Sequence, residues 1–154
     1  MKALIFAAGL GTRLKPLTDT MPKALVPING KPLLEHQILK MKKMGFDHLV
    51  INVHHFADQI IDFLSKNNNF GLKIDISDER NLLLETGGGV KKAASFFTDE
   101  KPFLIHNVDI LSNIDLQSFY TENASKSLIS LLVNQRKTSR YLLFNEEKRL
   151  VGWT

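Results

Sequence analysis

The order of elements predicts an α/β fold with a mostly parallel sheet, and three observations carry it. Strand-like and helix-like patterns alternate from residue 2 to about residue 133, and such alternation closes into right-handed strand–helix–strand units. The first apolar run, Ala3-Leu4-Ile5-Phe6-Ala7-Ala8, is continuous rather than alternating and stops at Gly9. That is the pattern of a strand buried on both faces. The stretch from Gly9 to Pro32 then carries three glycines and four prolines, too broken for a regular element. Loops this long are uncommon in compact domains and are usually functional.

Beyond that loop, Leu34, Ile38 and Met41 recur at helical spacing, with Glu35, Lys42 and Lys43 on the other side and Gly45 as a stop. His48 to Val53 reads as the second strand, and Ala57 to Leu64 as a helix through Ile60, Ile61 and Leu64. Leu72-Lys73-Ile74-Asp75-Ile76 alternates, which predicts a strand with one more polar face. Val90 to Phe97 has helical spacing, Pro102 to Asn107 reads as a strand, and Leu116, Phe119 and Tyr120 mark a short helix. Ser127 to Val133 is predicted as a further strand. The chain then changes character: Tyr141 to Phe144 and Arg149 to Trp153 flank the polar Asn145-Glu146-Glu147-Lys148, as in a hairpin.

Composition narrows the function classes. The 154 residues suit one domain able to bury its own core. With no cysteine, a disulfide framework, Cys-ligated metal and a thiol nucleophile are excluded. No apolar run approaches the roughly 20 residues of a membrane span. Met1 to Ala8 is followed by Gly9 to Thr12 rather than a signal-peptide cleavage region, so the cytoplasm is the expected compartment. The net charge of +4 suits nucleic acid, lipid or a phosphorylated small molecule. Aromatics are not interleaved with the basic residues, which argues against nucleic acid, and no membrane partner is expected. Lys40, Lys42 and Lys43 read as a solvated helix end. His54, His55 and His106 lack metal-ligand spacing and read as polar or solvated histidines.

Ligands of open α/β sheets bind beyond the carboxyl ends of the strands, and two features fall there. Gly9-Leu10-Gly11-Thr12-Arg13 directly follows the first strand. Its glycines let backbone N–H groups approach an anion, and Arg13, Lys15 and Lys23 add cations. It is neither a dinucleotide fingerprint, since Leu14 stands where the third glycine would, nor a P-loop. Alone it is equally well a tight turn with solvated cations. Asp109, just past a buried strand, suits either Mg²⁺ or the cap of the next helix.

The longer pattern is more specific. Gly9-Leu10-Gly11-Thr12-Arg13-Leu14-Lys15-Pro16-Leu17-Thr18, then Met21-Pro22-Lys23-Ala24-Leu25-Val26-Pro27 and Gly30-Lys31-Pro32-Leu33, resembles the signature of the sugar-1-phosphate nucleotidyltransferases. The resemblance continues through Leu84-Glu85-Thr86-Gly87-Gly88-Gly89 and His106-Asn107-Val108-Asp109, and so spans most of the chain. The Glu-Thr-Gly-Gly-Gly form is similar to N-acetylmuramate-1-phosphate uridylyltransferases and mannose-1-phosphate guanylyltransferases. The resemblance implies a Rossmann-like, mostly parallel sheet flanked by helices, of the nucleotide-diphospho-sugar transferase type and incomplete at the C-terminus. It also implies roles. Ala8, Gly9, Leu10, Gly11 and Thr12 would hold the nucleotide, Arg13 the pyrophosphate leaving group and Lys23 the reacting phosphates. Glu85, Thr86 and Gly87 would meet the base or sugar, Asn107 the substrate, and Asp109 the Mg²⁺. Asn107 stands where related glycosyltransferases carry the first aspartate of a DxD, which favours nucleotidyl transfer.

The implied reaction joins an NTP, UTP or GTP, to a sugar 1-phosphate, releasing pyrophosphate and an NDP-sugar of the kind used in the cell envelope. The family's second metal-binding aspartate, in a Trp-x-Asp-x-Gly-Thr setting, has no counterpart: after Asp109 only Asp115, Glu122, Glu146 and Glu147 are acidic. Residues 1–154 are therefore expected to be the N-terminal, nucleotide-binding portion of a nucleotidyltransferase domain, with little or no turnover alone. Two other readings stay open, a non-catalytic nucleotide- or sugar-phosphate-binding regulatory domain of this fold and a sugar-nucleotide glycosyltransferase.

Overall fold

The computed structural model describes residues 1–124, 126–135 and 137–154. Its centre is a parallel sheet of four strands: β1 (Lys2–Phe6), β4 (His48–Val53), β5 (Lys73–Asp78) and β6 (Phe103–Asn107). Their spatial order is β5-β4-β1-β6, so β1 is paired in parallel on both edges. A small hairpin, β2 (Pro27–Ile28) with β3 (Lys31–Pro32), interrupts the long loop after β1. Asn29 and Gly30 form its turn, both with positive φ, and Asn-Gly is the residue pair such two-residue turns require. The connecting helices are α1 (Leu33–Lys43), α2 (Ala57–Lys66), α3 (Glu85–Ala93) and α4 (Leu116–Asn123).

The alternation of side chains along each strand decides which helix covers which face. Ala3, Ile5, Leu49, Ile51 and Val53 share one cluster with Leu34, Ile38 and Met41 of α1, Ile60 and Leu64 of α2, and Leu116 of α4. Leu4 and Val50 point the other way and pack with Ala93, Val90, Phe96 and Phe103 around α3. Every residue of β4 is buried, as the unbroken apolar run through Val50 and Ile51 predicts. Along β6 burial alternates, Leu104 and His106 being buried while Ile105 and Asn107 are exposed. No helix among the described residues is long and apolar enough to cross a membrane.

Three expectations need correction. The helix placed at Val90 starts at Glu85 and takes in all three glycines; Ala94–Phe96 follow as a 3₁₀ turn. Ser127 to Val133 is not a strand. Ser127 Oγ instead bonds the Ile129 carbonyl (3.0 Å) and Ser130 Oγ (2.9 Å), local bonds that compete with a ladder. Lys40 is not a solvated cation, because its Nζ donates to the Ser112 carbonyl (2.7 Å) and Oγ (2.9 Å), and burial lowers its pKa. The C-terminal hairpin forms as predicted, β7 (Leu142–Phe144) antiparallel to β8 (Leu150–Trp153).

Ile51 sits at the centre of the sheet, fully buried, whereas Ile105 on β6 is 44% exposed. Ile51→Ala is expected to cost about 2–5 kcal/mol in urea unfolding. Ile105→Ala should cost about half of that or less, because it removes less buried apolar area.

Candidate active site

The first loop leaves the sheet under tight control. Ala7 and Ala8 stay buried beyond the end of β1, and their N–H groups donate to Oδ1 of Asn52 on β4 (2.7 and 3.2 Å). Gly11 then turns in the left-handed region, φ +67°. Its carbonyl accepts from Leu14 N and from Thr18 Oγ1, each at 2.8 Å. A Cβ at Gly11 would lie 2.8 Å from Thr18 Cγ2 and 3.1 Å from Lys23 Cβ, so both the backbone angle and the space demand glycine. The N–H groups of Gly9, Leu10 and Thr12 donate to no acceptor among the described residues. They are the open donors an anion cradle needs.

Lys23, on the short turn Lys23–Leu25, reaches across to the end of β6, its Nζ 2.8 Å from Asp109 Oδ2. The side chains are 20% and 41% exposed, so the pair lines the opening rather than the core. Burial pushes the Asp109 carboxyl up, but the hydrogen bond and charge of Lys23 outweigh it. Its own backbone N–H and the Arg13 charge help, and the pKa lies below the ordinary value. The chain after Asp109 is held by α1, where Gln37 Nε2 donates to the Ile110 carbonyl (2.7 Å) beside the Lys40–Ser112 bonds. Asp115, not Asp109, caps the next helix, accepting from Gln117 N and Ser118 N (3.0 Å each). The capping alternative for Asp109 is thereby removed.

These parts share one cleft of about 810 Å³ at the carboxyl end of the sheet. Ala8, Gly9, Leu10, Gly11, Thr12, Arg13 and Lys23 line one side, Glu85 and Thr86 another, Asn107 and Asp109 a third. Gly87 is exposed but does not line it, and neither does Lys15, which pairs with Asp19 (3.2 Å). The histidines are taken up structurally: His54 Nδ1 bonds the Glu79 carbonyl and His106 Nδ1 the Asn107 carbonyl (2.7 Å each), and His55 packs on Phe56. Burial lowers the His106 pKa.

Sequence reasoning missed two polar cleft residues, Asn52 and Glu79, both buried. The available signal was a lone amide within the apolar run Leu49 to Val53, and an acid between Asp78 and Arg80 whose neighbours pair with each other (2.7 Å).

Among the described residues no group of three or more His, Asp or Glu is placed to hold a metal by itself. One exposed carboxylate in this cleft still fits Mg²⁺, a hard cation that uses one or two carboxylates and takes phosphate and water oxygens for the rest.

The Asp109 pKa makes a sign-specific prediction. Its folded value is depressed, so the pair's contribution to stability is present above the ordinary carboxylate pKa and is lost as pH falls through the folded one. In an NMR titration of the side-chain carboxyl, the midpoint should lie below the ordinary range and rise in Lys23→Met, where burial acts with less opposition. An unchanged midpoint would contradict the geometry.

Comparison with known proteins matches this arrangement. The sequence profile of the family described as nucleotidyl transferase matches residues 2–143. An N-acetylmuramate alpha-1-phosphate uridylyltransferase of Neisseria meningitidis serogroup B is 40% identical over 125 residues, 81% of this chain and 54% of that protein. The mannose-1-phosphate guanylyltransferase catalytic subunit beta of Danio rerio is 32% identical over 146 residues, 92% of this chain and 40% of the relative. The crystal structure of HddC from Yersinia pseudotuberculosis complexed with GMP-PN superposes with a TM-score of 0.71 at 33% identity, covering 80% of this chain and 54% of that one. The chain thus spans about half the length of the curated relatives it matches. With the profile running through nearly all of its length, the parallel sheet shared with HddC and the signature loop at the rim of that sheet, this chain belongs to the nucleotidyl transferase family.

Proposed function

We propose that this chain forms the nucleotide-binding part of a magnesium-dependent sugar-1-phosphate nucleotidyltransferase. The observation that carries the reading is the meeting of three groups in one cleft: the open N–H groups of the Gly9–Thr12 loop, the cations Arg13 and Lys23 of the same loop, and the Asp109 carboxylate, distant in sequence. The names of the relatives support UTP or GTP as the nucleotide and a sugar 1-phosphate as the acceptor.

In the reaction, an oxygen of the sugar phosphate attacks the α-phosphorus of the NTP. The bond from that phosphorus to the bridging oxygen of the β-phosphate breaks, and pyrophosphate leaves with the electron pair. The attacking phosphate is already ionised at neutral pH, so no general base is required. Positioning and charge neutralisation carry the rate. The loop N–H groups orient the phosphates. Arg13 offers a forked donor to the leaving pyrophosphate. Lys23 has three N–H donors and spends one on Asp109, which leaves two for phosphate oxygens. Asp109 would hold Mg²⁺ together with those oxygens, and Asn107 lines the same cleft. When bound, the ion supplies further neutralisation of phosphate charge.

A second reading, a nucleotide-binding module without turnover, is favoured by one fact: the resemblance implies a second metal-binding aspartate, and after Asp109 the next aspartate, Asp115, is committed to capping α4. We accordingly propose binding without appreciable turnover for residues 1–154 alone.

Titration calorimetry with UTP and GTP, with and without Mg²⁺, tests the binding. Saturable binding strengthened by Mg²⁺ is expected. Arg13→Ala or Lys23→Ala should weaken it about tenfold or more, the scale of a lost charge-assisted hydrogen bond. No binding of either nucleotide would overturn the proposal. Pyrophosphate release at a rate typical of the family from these residues alone would overturn its second part.

A further inference from the structure

The reaction described above uses neither Asn52 nor Glu79, yet both lie beneath the cleft, 2% and 1% exposed. Asn52 stands at the carboxyl end of β4, in register with Phe6. Its Oδ1 holds the N–H groups of Ala7 and Ala8, the two residues before Gly9. Its Nδ2 donates to Glu79 Oε1 (2.9 Å), and Glu79 Oε2 accepts from the N–H of Leu84 (3.2 Å), the residue before Glu85. One side-chain pair thus spans the loop after β1 and the loop that opens α3.

The pair is itself fixed from below. Glu79 N donates to the Val53 carbonyl (2.7 Å), carrying the β4–β5 pairing one residue further. The Glu79 carbonyl accepts from His54 Nδ1 (2.7 Å) and Leu82 N (3.0 Å). Space is reserved for it as well: a Cβ at Gly89 would lie 3.0 Å from Glu79 Oε1 and 3.3 Å from Asn52 Nδ2. Among the described residues Glu79 forms no salt bridge; N–H donors alone satisfy its carboxylate. Burying a carboxylate and an amide is costly unless they are fully bonded. Apolar residues would fill the same space without that cost, but they could not hold the backbone of two loops.

We propose that Asn52 and Glu79 are positioning residues that lock the Ala7–Ala8 end of the phosphate loop to Leu84, so that one buried pair sets both ends of the nucleotide site. The proposal rests on the function proposed above for what the two loops bind, and on the hydrogen bonds alone for the lock. Its polarity is strict. Asn52 can turn its oxygen toward the loop only because its nitrogen faces a carboxylate. N52D sets two carboxylates against each other at core depth. E79Q leaves a single acceptor where two donors, Asn52 Nδ2 and Leu84 N–H, must be met. The combination N52D/E79Q reverses the central bond, with donor at 79 and acceptor at 52. Every loop amide then keeps an acceptor and the charge is unchanged.

The test is amide hydrogen exchange on the unliganded 154-residue chain, followed by titration with Mg²⁺–UTP and Mg²⁺–GTP. The variants are N52D, E79Q, their combination and His48→Gln, which perturbs a buried polar residue bonded to Asp75 at the opposite end of β4 (2.6 Å). E79Q, which touches neither alanine, should speed exchange at Ala7 and Ala8 as well as at Leu84, by about tenfold, and weaken nucleotide binding. The combination should recover both, and His48→Gln should change neither. Acceleration confined to Leu84 in E79Q, or a folded combination that recovers nothing, would overturn the lock. Should N52D fail to fold, E79Q and the combination decide alone. If the parent chain binds no nucleotide, the proposed function fails while the exchange data still judge the lock.

Discussion

Parallel pairing of β1 on both edges is the constraint from which the site follows. Phe6 is in register with Asn52 on one side and Asn107 on the other, and Asn52 with Ser77 beyond it. The four strands end at that row or one residue beyond it, so the segments that follow all emerge at one rim. The loop after β1 brings the glycines, Arg13 and Lys23; the segment after β5 brings Glu79, Glu85 and Thr86; the turn after β6 brings Asp109. Such a row forms because β1 and β4 are apolar enough to be buried on both faces, with α1, α2 and α4 covering one side and α3 the other.

Two contacts convert this shared rim into a defined cleft, and they differ in kind. Lys23–Asp109 joins the first loop to the third through an ion pair open to solvent. It has the accessibility a phosphate-binding group needs, and partial screening limits its worth to stability. Asn52–Glu79 joins the first loop to the second at core depth, where water does not compete and an unsatisfied group is expensive. The first contact can be remade around a ligand; the second holds the frame in which that happens.

Much of this was legible in the sequence because it rests on local pattern. Leu49 to Val53 is an apolar run but for Asn52, and Gly45, at φ +81°, does end the helix before it. The cleft residues were legible as a motif, since their identity is constrained by chemistry and close approach, as at Gly11. What escaped depends on tertiary contacts. Nothing local distinguishes Lys40, which clamps Ser112, from its exposed neighbours Lys42 and Lys43. Helical spacing is readable only from Val90 onward, but packing against Phe6 and Asn52 holds Gly89 inside the helix. Ser127 to Val133 has the apolar content of a strand, and strand formation needs a paired edge that no single segment encodes.

The central claim is that the carboxyl rim of the sheet assembles one nucleotide site from three loops. Amide chemical-shift mapping of the 154-residue chain on addition of Mg²⁺ with UTP or GTP tests it most directly. The account predicts concerted shifts at Gly9 to Arg13, at Lys23, at Thr86 and at Asn107 and Asp109, saturating together. Shifts confined to one of these loops, or centred on the opposite end of the sheet near His48 and Lys73, would contradict it.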